Sequence, residues 1–208
     1  MYEFFALFGI VGPLLYFITV ILGAIRRPNY SHIKDTISEL ASPDSPNLPL
    51  INTMFAFYNI SIFFFGLSVL FLSNLTTTFH LNVVGLLTLL VGVLGLGMLF
   101  FPQDPIGQTM THKGRIHIAL AGLTSPATMI SMVITALYFG SAELENSAGS
   151  FVGFTWVFLA SVFVFGLLAA ANIARHTRFA GLFERLTIGS YLMWIFIFAV
   201  LILTNNLQ

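Results

Sequence analysis

Charged residues are scarce in this sequence. Asp, Glu, Lys and Arg together make up 8% of the 208 residues, whereas soluble domains carry roughly 25%. Hydrophobic residues make up 57%, more than a soluble domain of this length can shield from water. The absence of cysteine excludes disulfides, thiol nucleophiles and thiolate metal sites. Because the net charge is zero, nothing indicates a nucleic-acid partner. The composition predicts an integral membrane protein.

Six apolar runs are each long enough to cross a bilayer, which takes about 20 residues. They cover approximately residues 4–25, 50–73, 81–101, 116–139, 151–173 and 186–204. The first run has no basic leader, so we interpret it as a retained helix instead of a signal peptide. The sequence therefore predicts an all-α polytopic membrane protein, a bundle of six transmembrane helices that forms a single domain over residues 1–208.

The basic residues are confined to alternate connectors between the spans. The first, third and fifth connectors hold all of them, namely Arg26, Arg27, Lys34, Lys113, Arg115, Arg175, Arg178 and Arg185. The fourth connector offers only Glu143 and Glu145. By the positive-inside rule the odd connectors are cytoplasmic, although a basic binding site would give the same bias. We expect a multi-pass protein of the cell inner (plasma) membrane with both termini on the non-cytoplasmic side.

The predicted spans contain no Asp, Glu, Lys or Arg. Ion-coupled transporters usually carry an ionisable group at membrane depth, so the pattern argues against proton or sodium coupling through the bilayer centre. Amides and hydroxyls such as Asn52, Asn59, Ser61 and Thr128 are available to line a path for a neutral or amphipathic solute. A carrier for such a solute is one alternative.

The first connector contains the polar stretch RRPNYSHIKDTISEL, residues 26–40. If residues 31–40 are helical, His32, Asp35 and Glu39 share one face while apolar residues share another. The pattern predicts a short interfacial amphipathic helix between spans 1 and 2. A solvated helix face would give the same pattern.

The odd connectors also collect histidines and acids. The third connector places Asp104 on a proline-rich turn shortly before His117, which begins the fourth span. His32, His112 and His176 lie on the same predicted side. Membrane orientation requires cations in the odd connectors, but it requires neither histidines nor acids. The excess of histidines and acids on this side therefore indicates a functional site.

We therefore assign acid–base or catalytic roles to His32, Asp35, Glu39, Asp104 and His117. Arginine side chains suit phosphate binding, and the candidates for it are Arg26, Arg27, Arg115 and Arg175. Imidazole and carboxylate groups are also ligands of divalent metals, so a metal site stays an alternative and the cofactor is unknown. The sequence has no HExxH or GxSxG motif, so it names no reaction and leaves enzyme status open.

Two connector motifs carry a family resemblance. RPNYSHIKDTISEL after the first span and FPQDPIGQTMTHKGRIH entering the fourth resemble the DUF998 family of small six-span bacterial and archaeal membrane proteins. More distantly, the layout is similar to the Frag1/DRAM/Sfk1 group, which includes proteins of lipid-anchor remodelling and lipid organisation. The resemblance implies the fold and adds Tyr30 and Ser38 as ligand-binding candidates, but it implies no mechanism.

Three functions remain after these exclusions. The first is a site at the cytoplasmic interface that binds or processes a lipid head group or another amphipathic small molecule. The second is the carrier, and the third is a non-catalytic membrane partner or sensor. We expect membrane lipids as partners, and the sequence leaves a homo-oligomer open.

Overall fold

Each predicted span is an α-helix in the computed structural model of the chain, because a backbone in lipid must satisfy its own N–H and C=O groups. The helices are α1 (Tyr2–Ala6), α2 (Phe8–Arg26), α3 (Leu48–Thr76), α4 (Phe79–Phe100), α5 (His112–Ser141), α6 (Asn146–Ala174) and α7 (Ala180–Leu203). The first two together make one span, Tyr2–Arg26. The prediction of an all-α bundle of six membrane-spanning helices is confirmed.

The structure describes residues 1–76, 78–105, 108–141, 146–175 and 177–204, without the side chains of 75–76 and 146–148. Glu143, Glu145 and His176, which entered the charge pattern above, lie outside the described residues.

The helices form a closed ring in chain order. Each span packs against the next, from α2 on α3 through to α6 on α7, and α7 returns to α2 and α1. Since successive spans run in opposite directions, the connectors after α2, α4 and α6 lie at one end of the bundle, which we call the basic end. The Lys and Arg residues of the chain lie at this end.

The half of the bundle away from the basic end has a tightly packed aromatic core, which we call the aromatic half. Phe198 lies at its centre, with ring centroids 5.3 Å from Phe151, 5.6 Å from Trp194, 5.7 Å from Phe65 and 6.1 Å from Phe139. These five side chains are buried. Large aromatic side chains from α3, α5, α6 and α7 therefore fill this half.

Loop 1, residues 27–47, differs from the predicted continuous helix. The amides of Lys34 and Asp35 both donate to the carbonyl of Ser31 and make a turn, while Ser38–Ala41 forms a single 3-10 helix. The polar side chains of the loop bond to its own backbone, and such bonds compete with a regular helix. The short helix is therefore present but shorter than the sequence indicated.

The apolar side chains of loop 1 do not share a surface that faces the bilayer. Ile37 and Leu40 are buried in the core of the bundle, whereas Ile33 is 49% exposed. Loop 1 therefore folds over the basic end of the bundle with two of its apolar side chains turned inward.

Candidate functional site

Loop 1 is anchored to the N-terminus of α7 by main-chain hydrogen bonds. The amides of Gly181 and Leu182 donate to the carbonyls of Lys34 and Ile33, at 3.2 and 3.0 Å. The first N–H groups of a helix have no partner within the helix, so the loop supplies the acceptors that α7 needs. A Cβ atom on Gly181 would lie 2.2 Å from the carbonyl oxygen of Asp35. Glycine is therefore required for this close approach.

Two charged side chains of α7 hold the same loop. Arg185 donates from Nη1 to the carbonyl of Asp35 at 2.9 Å and from Nη2 to the Tyr30 hydroxyl. The Glu184 carboxylate accepts the amide N–H of Ile37. Burial raises the pKa of the Tyr30 phenol, which keeps its hydroxyl neutral in this contact. Loop 1 and α7 thus form one connected unit.

Arg27 links the beginning of loop 1 to its later part by hydrogen bonds. Its guanidinium donates to the carbonyl of Glu39, to the Ser42 hydroxyl at 3.1 Å and to the Asp44 carboxylate at 2.8 Å. The hydrogen bond from Ser42 and the charge of Arg27 hold the pKa of the Asp44 carboxyl below its ordinary value. Because Asp44 is 52% exposed, the ion pair itself stabilises the loop little. Arg27 therefore acts as a structural link within loop 1.

The loop 1 acids that the sequence assigned to acid–base chemistry also bond to the chain around them. The carboxylate of Asp35 accepts the amide of Ser31 at 2.6 Å. The carboxylate of Glu39 accepts the amide of Thr36 at 2.7 Å. Both acids act as local caps that shape the loop.

Asp104 has the same kind of role in the connector after α4. Its carboxylate accepts the amide and the hydroxyl of Thr111, at 2.7 and 2.8 Å. A Cβ atom on Gly114 would lie 2.0 Å from Asp104 Oδ2. The carboxylate therefore packs directly on the first turn of α5 and closes the turn before it.

His117 is buried, with 8% of its surface exposed, and it joins two connectors. Its Nδ1 lies 2.9 Å from the carbonyl oxygen of Phe101, and its Nε2 lies 3.3 Å from Ser38 Oγ. The histidine thus links the end of α4 and the start of α5 to the 3-10 helix of loop 1.

A cavity of about 240 Å³ lies beneath loop 1, among all six spans. Ser38, His117 and Glu184 line it at the basic end. Further into the helices it is lined by apolar side chains together with Tyr16, Tyr58, Asn59, Tyr191 and several small hydroxyl residues of α5. The volume lies just below the roughly 300–1,000 Å³ of ordinary ligand pockets, so the cavity suits a small or slender molecule.

The remaining residues of the predicted site lie outside this cavity. His32, Arg26, Arg115 and Arg175 are exposed at the basic end. Partial burial, with the nearby charge of Arg185, lowers the pKa of His32. Within the described residues no group of three or more His, Asp or Glu side chains is arranged to hold a metal ion. Of the predicted site residues, Ser38 and His117 lie together at the cavity. The carboxylates of Asp35, Glu39 and Asp104 instead accept hydrogen bonds from nearby residues of their own connectors.

The sequence reasoning omitted the α7 residues of the site. Glu184 and Tyr191 both line the cavity, and Arg185 positions the loop above it. The available signal was an adjacent acid and base, Glu184 and Arg185, at the beginning of the sixth span. Tyrosines within the spans gave no signal that would distinguish them from packing residues.

A ring of six spanning helices, closed at one end by an anchored loop above a partly polar cavity, defines a multi-pass membrane protein with an internal cavity. The chain belongs to the DUF998 family, a family of proteins of unknown function, whose sequence model matches residues 10–201. The resemblance drawn from the two connector motifs is thereby confirmed. Comparisons with curated proteins and with solved structures gave no match, so the more distant likeness to the Frag1/DRAM/Sfk1 group stays an expectation.

Proposed function

We propose that this protein binds one amphipathic molecule taken from the membrane. The polar end of that molecule lies at Ser38, His117 and Glu184, and its apolar part lies in the cavity below them. The observation that supports this most directly is the cavity lining, which is mainly apolar in area and has Ser38, His117 and Glu184 together at the basic end. Pockets of this composition fix a ligand by a few polar groups and bind it by apolar contact.

A buried hydroxyl group within the cavity supports a bound ligand. Tyr191 is 6% exposed, and its hydroxyl has no hydrogen-bond partner among the protein groups that the structure describes. Buried polar groups nearly always have a partner, because an unpaired one costs about 1–3 kcal/mol. A polar atom of the ligand, or a water molecule bound beside it, would satisfy this hydroxyl.

The route into the cavity favours a molecule that comes from the lipid. Ala121, Thr124 and Ser125 of α5 line the cavity and are nevertheless half-buried or exposed, so the cavity reaches the outer surface of the ring along this helix. The adjacent Gly122 has no heavy atom within 4 Å of the position of a Cβ atom. Since loop 1 covers the basic end, the side of α5 is the more open approach.

The aromatic half argues against the carrier. A path through the bundle would have to pass the buried rings of Phe65, Phe151, Trp194 and Phe198. Two residues suggested for such a path, Ser61 and Thr128, donate their hydroxyls to carbonyls of their own helices at 2.8 and 2.7 Å. Binding from one side therefore accounts for the geometry better than passage across it.

The exposed basic residues suggest which leaflet supplies the ligand. Arg26, Arg115 and Arg175 surround the basic end, and side chains of this type attract anionic head groups. With the positive-inside rule, the basic end faces the cytoplasm and both termini face the other side. The ligand is then an amphiphile of the cytoplasmic leaflet.

Native mass spectrometry of the full chain, incubated with oleate or lysophosphatidylglycerol, tests this proposal. The wild type should retain one equivalent of the single-chain amphiphile. Ala121→Phe places a ring at a lining position and should abolish retention, whereas Leu123→Phe, at a position that is 58% exposed, should leave it unchanged. Retention that is absent in the wild type, or equal in all three proteins, would refute the binding pocket.

A further inference from the structure

Ser38 and His117 have the geometry of a nucleophile and its base. The Phe101 carbonyl oxygen, 2.9 Å from His117 Nδ1, can only accept a hydrogen bond, so Nδ1 carries the proton. In the neutral imidazole Nε2 is then an acceptor, and it faces the Ser38 hydroxyl at 3.3 Å. A base oriented by a third group beside a hydroxyl is the arrangement that activates serine, and it is often loose without substrate.

The half-buried hydroxyl of Ser38 has a different environment from many hydroxyls buried within the spans. Thr19, Ser61 and Thr135 each donate to a carbonyl one turn earlier in their own helix, as hydroxyls in membrane helices commonly do. Ser38 begins a 3-10 helix in a loop, and its hydroxyl lies against an imidazole nitrogen. This contact joins residues 79 positions apart, so it is tertiary in origin.

The surrounding structure holds this pair in place at the cavity. Ser38 and His117 both line it, so a bound molecule can reach both. The neighbouring amide of Ile37 is held by the Glu184 carboxylate, which fixes the backbone at the nucleophile. Catalytic groups need such a rigid support to keep a reactive geometry.

From this geometry we infer that Ser38 and His117 form a catalytic dyad that cleaves an acyl ester of an amphipathic molecule. The inference deepens the proposed function and rests on it. Ser38 Oγ bonds to the ester carbonyl carbon while His117 Nε2 takes the hydroxyl proton. The C–O bond of the ester then breaks, and the leaving alcohol takes that proton from His117. Water attacks the acyl-serine in the same way, which releases a carboxylic acid and restores the serine.

The cavity also limits the substrate class. Its modest volume and mainly apolar lining suit a single hydrocarbon chain on the acyl side, with the ester at the level of Ser38. The polar part of the alcohol would then lie toward loop 1 and the exposed arginines. Single-chain acyl esters of polar alcohols are therefore the substrate class that the geometry favours.

An octyl fluorophosphonate probe on the full chain in lipid nanodiscs tests the nucleophile. Intact-mass analysis should give one adduct, which peptide mapping assigns to Ser38. Ser38→Ala should abolish it, and His117→Gln should slow it about 100-fold or more. Ser161→Ala, at a hydroxyl that does not line the cavity and bonds to a carbonyl of its own helix, should label like the wild type. A wild type that is not labelled, or a label that survives in Ser38→Ala, overturns the dyad.

The absence of cysteine permits a second test that does not depend on the folding of Ser38→Ala. Ser38→Cys introduces a single thiol, and an adjacent imidazole promotes the reactive thiolate. Its alkylation by iodoacetamide near pH 7 should be about tenfold or more faster than in Ser38→Cys with His117→Gln. Equal rates in the two proteins overturn the role of His117.

Turnover and binding are then measured separately. Release of nitrophenolate from p-nitrophenyl octanoate should exceed the solution rate in the wild type and fall to that rate in Ser38→Ala. If the wild type retains oleate but forms no adduct and releases no nitrophenolate, the catalytic inference fails while the binding pocket stands. If oleate binding also fails, the proposed function fails with it.

Discussion

The contact between Gly181 and loop 1 leads to a quantitative prediction about stability. A Cβ atom at this position would lie 2.2 Å from the Asp35 carbonyl oxygen, whereas an ordinary contact is at least 3.4 Å, so Gly181→Ala must move the loop by about 1.2 Å (3.4 − 2.2). That shift stretches the two main-chain bonds to α7 and the bond from Arg185 Nη1 to Asp35. Neutral hydrogen bonds contribute about 0.5–1.5 kcal/mol each and charged ones about 1.5–3 kcal/mol.

Partial relaxation of the loop and the higher helix propensity of alanine offset part of this loss. We therefore expect Gly181→Ala to lower the free energy of unfolding by about 2–3 kcal/mol, within the range of large single-site effects. Gly189→Ala is the matched control, because the same helix gains the same methyl group with no heavy atom within 4 Å.

Equilibrium unfolding in mixed detergent micelles measures the difference between the two variants. Limited trypsin digestion reports on the loop itself, since Lys34 should be cleaved faster in Gly181→Ala than in Gly189→Ala. If the two variants unfold within about 0.5 kcal/mol of each other and are cleaved at the same rate, loop 1 does not depend on α7 as the structure indicates.

Three further perturbations probe the same end of the bundle. Gly114→Ala, which displaces the Asp104 carboxylate, should lower the thermal midpoint by several degrees relative to Gly122→Ala in the same helix; equal midpoints would contradict the contact. Glu184→Ala removes a buried acceptor for a loop amide and should destabilise by about 1–3 kcal/mol, with Glu184→Gln intermediate in unfolding titrations; an unchanged Glu184→Ala protein would refute this role. Because the folded pKa of Asp44 is depressed, its contribution is present above its unfolded pKa near 3.9 and is lost as the pH falls through the folded value. The stability difference between wild type and Asp44→Asn, at most about 1 kcal/mol at pH 7, should therefore vanish in acid, and a difference that persists there would contradict it.

The architecture could be predicted from the sequence because a chain that crosses a lipid bilayer can adopt few kinds of secondary structure. Uncharged runs of about 20 residues must be helical, and their number and order follow directly. Loop 1 could not be predicted with the same success. The periodicity of residues 31–40 indicates a helix, but the carboxylates of Asp35 and Glu39 satisfy loop amides, and Glu184 and Arg185 hold the loop from 145 or more positions away.

The contacts of the candidate site also could not be predicted from residue spacing. His117 and Ser38 were selected from the sequence, yet their contact depends on how loop 1 folds against α5. Asp104 precedes His117 in the same part of the chain, but the hydroxyl and amide of Thr111, seven residues away, satisfy its carboxylate locally. Local hydrogen bonds and tertiary pairing compete for the same side chains, and residue spacing alone does not decide between them.

The closure of the ring by α7 bears on how the protein matures during synthesis. Loop 1 emerges directly after the first span, but the groups that hold it, at Gly181 and Arg185, belong to α7 and are translated after the other five spans. Until α7 inserts, α2 and α6 lack the helix that packs between them, and the carbonyls of loop 1 must find other donors. The cavity beneath loop 1 is thus completed only after α7 has joined the bundle, so the helices made earlier depend on a later one for their final packing.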